Sequence, residues 1–306
     1  MRIVFMGSAE LAVPSLKALL DHTGDEVVGV ISQPDRPAGR SRKLTPCPLK
    51  AFAESCGLNV MTPDKVGDPE SLQALSMLEP DLFVVVAYGQ YIPSTVIQLA
   101  RYEAINVHPS LLPKYRGSAP IQWAILNGDV ETGVSIIQLA KKMDAGDILR
   151  QERHSIDPDD TSAALHDRLA ELGAKLLLET IEDIRTDRVS RTVQDEAAAV
   201  EISKLSKEDG KIEWSMPAET IRNRIRAFDP WPGSYCILPD GSAIKVWKAG
   251  TEAGKGAPGE LLDDRLLVAT GSNALRILEV QPAGRKRMPA ESFLNGHPLQ
   301  RGQRLG

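Results

Sequence analysis

Apolar positions follow two textures along the chain. Up to about residue 185, short apolar runs alternate with stretches of helical period; beyond about residue 206 the runs shorten and turn residues separate them. Residues 2–6, 27–31, 82–87 and 104–108 read as strands, the first three nearly all apolar, as strands covered on both faces of a parallel sheet are. Between them Leu16, Leu19 and Leu20, then Leu49, Phe52, Ala53 and Cys56, then Leu72 and Leu75, recur at helical spacing. A short helix is expected after Pro93. Such alternation predicts an α/β fold with a doubly wound, mostly parallel sheet. Residues 132–139 and 148–156 read as two further strands. Residues 161–185 read as a long amphipathic helix carrying Leu165, Leu169, Leu172 and Leu176. Ser118 is the expected cap of a helix with Pro120 in its first turn.

Periodicity fails from residue 186 to about 206, which reads as a linker laid across the surface. Beyond it a helix is expected at 218–228, and short strands near 235–238, 244–248, 260–262, 266–269 and 275–280, with Pro239-Asp240-Gly241 as a hairpin turn. That pattern is expected of a small β-barrel, OB-like in type. The expected division is 1–188, a linker 189–206, and a barrel 207–306.

Composition narrows the class. A chain that is 42% hydrophobic and 25% charged is that of a soluble globular protein, and no apolar run is long enough to span a bilayer. The first residues enter a strand pattern without the organisation of a signal peptide, so a cytoplasmic protein is expected. Cys47, Cys56 and Cys236 are scattered and show no CxxC spacing, which suggests neither a disulfide framework nor a metal site. Gly7 stands without the further glycines of a dinucleotide fingerprint. The net charge of -5 does not announce a nucleic-acid partner, but charge can be local. Arg36, Arg40, Arg42, Lys43 and Lys50 crowd a Pro- and Gly-rich loop with no helix or strand period. Arg285, Lys286 and Arg287, with Arg301 and Arg304, form a second group. Each group is either a solvated surface or a seat for an anion.

The candidate chemistry lies at residues 102–117 and 143–147. Asn106 and His108 are two apart on a strand and so point to one face, at its carboxyl end, where open α/β sheets bind ligands. Pro109 ends that strand. Asp144 and Asp147 follow another apolar run, in a turn with Gly146. Histidine titrates near neutrality and can take and return protons, while an asparagine amide can donate to a developing oxyanion. No Ser or Cys nucleophile stands beside them. The set suits acyl transfer in which the substrate is the nucleophile; the alternative is that Asn106 and His108 merely cap a strand end.

The motif Asn106-Val107-His108-Pro109-Ser110-Leu111-Leu112-Pro113 with Arg116-Gly117, followed by Asp144-Ala145-Gly146-Asp147, resembles the folate-dependent formyltransferases. Residues 33–40, 86–89, 117–122, 204–207 and 226–232 extend the resemblance over nearly the whole chain, and within that family it is strongest to the branch that acts on methionyl-tRNA. The resemblance implies 10-formyltetrahydrofolate as donor and the α-amine of initiator methionyl-tRNA as acceptor. It implies Asn106 as oxyanion donor, and His108 as either carbonyl polariser or proton shuttle. It implies Asp144 as the group that orients His108 and stabilises its charged form. Folate would lie against Ser110, Leu111, Leu112 and Pro113 and the backbone of Val86, Ala87 and Tyr88. Arg36, Arg40, Arg42 and Lys43 would hold the tRNA acceptor end, and the basic barrel its stem. No metal is implied, and a monomer is expected. The runner-up is a formyltransferase for a nucleotide-linked amino sugar. A purine-pathway enzyme would not need the last hundred residues, and the intact Asn106, His108 and Asp144 argue against a retired scaffold that only binds RNA.

Overall fold

The computed structural model describes residues 1–38 and 43–306, so Arg40 and Arg42 lie outside the described residues. Its first elements are β1 (Arg2–Gly7), α1 (Ala12–Asp21), β2 (Glu26–Ile31), β3 (Arg36–Ala38), β4 (Lys43–Thr45), α2 (Pro48–Ser55), β5 (Val60–Met61), α3 (Pro69–Met77), β6 (Leu82–Val86), α4 (Ser94–Ile97) and β7 (Ala104–His108). There follow β8 (Lys114–Gly117), α5 (Pro120–Leu126), β9 (Glu131–Gln138), β10 (Ile148–Ser155), α6 (Ser162–Arg185) and β11 (Val200–Ile202). The last are α7 (Ala218–Ala227), β12 (Ser234–Ile237), β13 (Ala243–Glu252), β14 (Leu267–Ala269), β15 (Ala274–Pro282), β16 (Met288–Pro289) and α8 (Ala290–Leu294). By packing, the chain divides into two compact units. One is 1–117, 132–155 and 166–201; the other is 118–131, 156–165 and 202–306.

The first unit is built on a seven-stranded sheet in the order β10-β9-β7-β6-β1-β2-β5. β1, β2, β5, β6 and β7 pair in parallel, and β9 joins β7 antiparallel. All of β6 and all of β7 are buried, because helices cover a parallel sheet on both faces. Asp68 caps α3, its carboxylate accepting from Ser71 N at 2.7 Å, with Pro69 in the first turn. Gly173 lets α6 lie close on the sheet: a Cβ there would stand 2.8 Å from Val107 Cγ1.

The second unit carries a small antiparallel sheet, β12-β13-β15-β14, with β16 beside β15. Ile221 and Ile225 of α7 and Phe293 of α8 pack with Cys236, Val246, Leu275 and Val280 of the strands. Gly241, at φ +85°, makes the expected turn between β12 and β13. Residues 260–262 make only isolated bridges, Glu260 to Arg304 and Leu261 to Val268, and the fifth strand is β16 instead.

Three other local expectations change. Residues 34–48 are not a bare loop: β3 and β4 pair antiparallel. The helix after Ser118 is capped by Ala119 in left-handed conformation at φ +69°, with no side-chain cap, and Ser118 is exposed. The stretch after α6 is tied inward, since Thr192 bridges Ile148, Gln194 is buried, and β11 pairs with β8.

Candidate functional site

β7 is flanked by β6 and β9, with Asn106 opposite Val85 on one side and Ile137 on the other. Asn106 and His108 therefore reach the carboxyl end of the sheet from its interior, 9% and 5% exposed. The loop after β9 brings Asp144 to them. Asn106 Nδ2 lies 3.5 Å from Asp144 Oδ1, and His108 Nδ1 lies 3.7 Å from the same oxygen. The second separation sets a carboxylate charge beside the ring without a close hydrogen bond.

Neighbouring backbone fixes both groups. His108 Nε2 lies 2.8 Å from Tyr115 O, which can only accept, so Nε2 carries the proton of the neutral ring. Nδ1 is thus the nitrogen free to exchange a proton, and it faces Asp144. Gly117 N–H donates to Asp144 Oδ2 at 2.9 Å. Asp144 itself is left-handed at φ +50°, which aspartate tolerates better than most residues. Gly146 must be glycine there, because a Cβ would fall 1.8 Å from Gln138 O. The three residues expected to act together are brought together. A proton-exchanging nitrogen, an amide donor and a carboxylate in a largely buried cluster can support attack of an amine on a carbonyl.

Residues 1–181 match the family described as formyl transferase, and residues 204–298 match the formyl transferase C-terminal domain. The chain belongs to the formyl transferase family. It is 46% identical to the methionyl-tRNA formyltransferase of Methylococcus capsulatus, over 100% of both chains. It is 44% identical to that of Citrifermentans bemidjiense, over 100% of this chain and 96% of the relative. Among solved structures it resembles an N-formyltransferase from Helicobacter canadensis in complex with folinic acid and dTDP-3-aminofucose. The TM-score is 0.67 at 20% identity, over 92% of this chain and 98% of that one. HypX from Aquifex aeolicus in complex with tetrahydrofolic acid gives a TM-score of 0.62 at 20% identity, over 96% of this chain and 47% of that one. At such identities the solved structures speak for the fold.

The other residues expected to serve this formyl transferase fall into two kinds. Ser110 and Leu112 are buried and brace a turn. Ser110 Oγ accepts from Tyr115 N at 3.1 Å, and Ser135 Oγ bridges Leu112 N at 3.1 Å to Ser110 O at 2.6 Å. Leu111 and Pro113 are half-buried, so they, rather than Leu112, can offer a wall to a ligand. At the end of β6, exposed Ala87 sits at φ +46° between buried Val86 and Tyr88. Tyr88 O accepts from Ser8 Oγ at 3.0 Å and Gln33 Nε2 at 2.8 Å. Its hydroxyl is buried with no partner among the described residues, and burial pushes the phenol up to about 12. Arg36 and Lys43 are exposed, and because Arg36 faces Thr45 while Ala38 faces Lys43, they share one face of the hairpin. Lys50 is engaged, 2.7 Å from Asp35. Arg287 is engaged too: its guanidinium grips both oxygens of Asp229, at 2.9 and 2.7 Å, and lies 3.7 Å from the Trp247 ring centroid.

Sequence reasoning gave no part to Ser135, Gln194 or the peptide groups of Tyr115 and Gly117. Backbone donors and acceptors leave no trace in residue type. Arg116-Gly117 stood in the motif, but nothing in it named the partner of the arginine.

Proposed function

We propose that this formyl transferase moves the formyl group of 10-formyltetrahydrofolate to the α-amine of methionyl-initiator-tRNA, giving N-formylmethionyl-tRNA for translation initiation. One observation carries the choice of acceptor: identity of 41–47% over nearly full length to methionyl-tRNA formyltransferases. The sugar formyltransferases it resembles share 19–20%. On this reading 1–188 performs the transfer, 189–206 joins, and 207–306 holds tRNA. The enzyme works in the cytoplasm, where charged tRNA is used, as a monomer.

Attack by the amine forms a nitrogen–carbon bond and puts negative charge on the formyl oxygen. Collapse breaks the bond from that carbon to N10 of the folate, which takes up the proton the amine gives up. Asn106 Nδ2 donates to the oxygen as its charge grows, an interaction stronger in the transition state than in the ground state. His108 takes the amine proton at Nδ1, its Nε2 being held by Tyr115 O. The Asp144 carboxylate, 3.7 Å from Nδ1, stabilises positive charge as it develops on the ring. Leu111 and Pro113 flank the folate, with the backbone of 86–88 against its pterin. The cations of 36–43 meet the phosphates of the acceptor end, which gives affinity without reading sequence.

The test offers charged initiator tRNA and a nucleotide-linked amino sugar to the enzyme with the same donor. Formyl should appear on methionyl-tRNA and not on the sugar. Transfer to the sugar alone would overturn the reading.

A further inference from the structure

Gln194 lies in the stretch after α6, far along the chain from every residue given a chemical part, yet it is 6% exposed and commits its whole amide to the Asp144 loop and to Arg116. Its Nε2 donates to Asp144 O at 2.8 Å and to Gly146 O at 2.7 Å. Its Oε1 accepts from Arg116 Nε at 3.0 Å and from Arg116 Nη2 at 2.9 Å. A primary amide has two hydrogens to give and two lone pairs to receive, and all four are used. Its orientation is therefore fixed, and with it the two carbonyls it holds.

Arg116 is 2% exposed, an unfavourable place for a cation. Glu196 answers it at 2.8 Å, but Glu196 is itself largely exposed, and Arg116 Nη1 is buried with no partner among the described residues. The position of Arg116 accounts for the arrangement. Its neighbours on β8 hold the proposed catalytic groups, Tyr115 through a carbonyl on His108 and Gly117 through an N–H on the Asp144 carboxylate. The Arg116 side chain completes the set by aiming Gln194 at the backbone of the Asp144 loop. The loop is thus gripped at the Asp144 carboxylate by β8 and at two carbonyls by Gln194.

We infer that Gln194, aimed by Arg116, is a positioning residue that sets where the Asp144 carboxylate stands relative to His108. This rests on the reading above that Asp144 takes part in the transfer. Groups of this kind act through geometry: misplacing a reacting set by about 1 Å can cost on the order of 10²-fold.

Gln194→Glu is the sharpest probe. It keeps the shape and keeps an oxygen on Arg116, but sets the other oxygen against two carbonyls with no hydrogen to offer. Arg116→Lys is the second, since an ammonium cannot make the two-pronged contact with Oε1. Steady-state formylation of methionyl-tRNA is measured for the parent, both variants, Asp144→Asn, and each variant combined with Asp144→Asn, with thermal unfolding alongside. Each variant should lose about 10- to 100-fold in kcat, with KM for donor and tRNA within about threefold of the parent. Each combined variant should be no slower than Asp144→Asn alone, within about twofold, because a group acting through Asp144 has nothing left to position. Losses that multiply in the combined variants would mean an independent, structural part and overturn the inference. So would an unchanged kcat in both folded single variants. If Asp144→Asn itself keeps the parent kcat, the reading of Asp144 fails instead. Should Gln194→Glu not fold, the Arg116→Lys cycle decides on the same terms.

Discussion

The two sheets of this protein hide their backbones in different ways, and the difference decides where chemistry can sit. In the first unit β6 and β7 are buried along their whole length, on both faces. Functional groups can then reach a ligand only at strand ends, and Asn106 and His108 occupy such an end. In the second unit β13 buries Ile244 and Val246 with half-buried Lys245 between them; across an irregularity in its pairing at 246–249, Trp247 and Ala249 are buried and Lys248 is exposed. There a face, not an end, is available, and it carries cations. An end gathers few groups at fixed geometry, which suits bond making. A face spreads charge over area, which suits a polyanion that needs no fixed register.

The largest effects should come from the strand end. Removing the Asn106 amide by Asn106→Ala should lower kcat by about 10²–10³-fold, and Asp144→Asn by about 10²–10⁴-fold, measured with both substrates saturating. A loss seen only in KM would place these groups in binding and break the contrast. Next comes Arg287→Ala in the second unit. It strips Asp229, whose side chain is 11% exposed, of a two-pronged partner and should cost roughly 1–3 kcal/mol in thermal or denaturant unfolding. Its kcat at saturating tRNA should hold, and a fall in kcat without loss of stability would show that the face does more than bind.

Smaller still is the effect of charge on tRNA affinity. Changing Arg40 and Arg42 together to Ala should raise KM for charged tRNA and flatten its salt dependence by roughly 0.7–0.9 for each phosphate no longer neutralised. Arg285 and Lys286, exposed near the Arg287 pair, should act the same way in the second unit. Parallel salt curves with equal KM would mean that neither group touches phosphate. The least effect concerns Glu196. Hydrogen bonds from Arg116, then Lys142, hold its carboxyl at about 2, below its ordinary 4.5. A folded value below the unfolded one stabilises above about 4.5, and that contribution is lost as pH falls toward 2. Unfolding temperature should drop less steeply over that window in Glu196→Gln than in the parent; identical slopes would remove the linkage.

How much of this could be read from residues alone differs between the same regions. The buried strands were legible because they are nearly pure apolar runs, and the motif marked Asn106, His108 and Asp144 as candidates before any distance was known. The hairpin β3–β4 was not legible. Its strands are three residues long, Arg36, Pro37 and all of β4 are exposed, and a proline stands in β3, so no alternation of apolar and polar residues marks it in the sequence. Gln194 was invisible for the opposite reason: it is a polar residue buried by hydrogen bonds, in a segment whose lack of period reads as linker. The cap at Ala119 was missed because a left-handed turn can do without a capping side chain. Pattern reports apolar burial well and polar burial hardly at all.

The central claim is that transfer to methionyl-tRNA runs through His108 Nδ1 at the end of β7. The direct measurement is the single-turnover rate of formyl transfer from 10-formyltetrahydrofolate to methionyl-tRNA, with enzyme in excess, for the parent and for His108→Ala. Folding is checked by thermal unfolding. A folded His108→Ala enzyme should bind both substrates and transfer about 10²–10⁴-fold more slowly. Transfer at the parent rate in that variant would contradict the account.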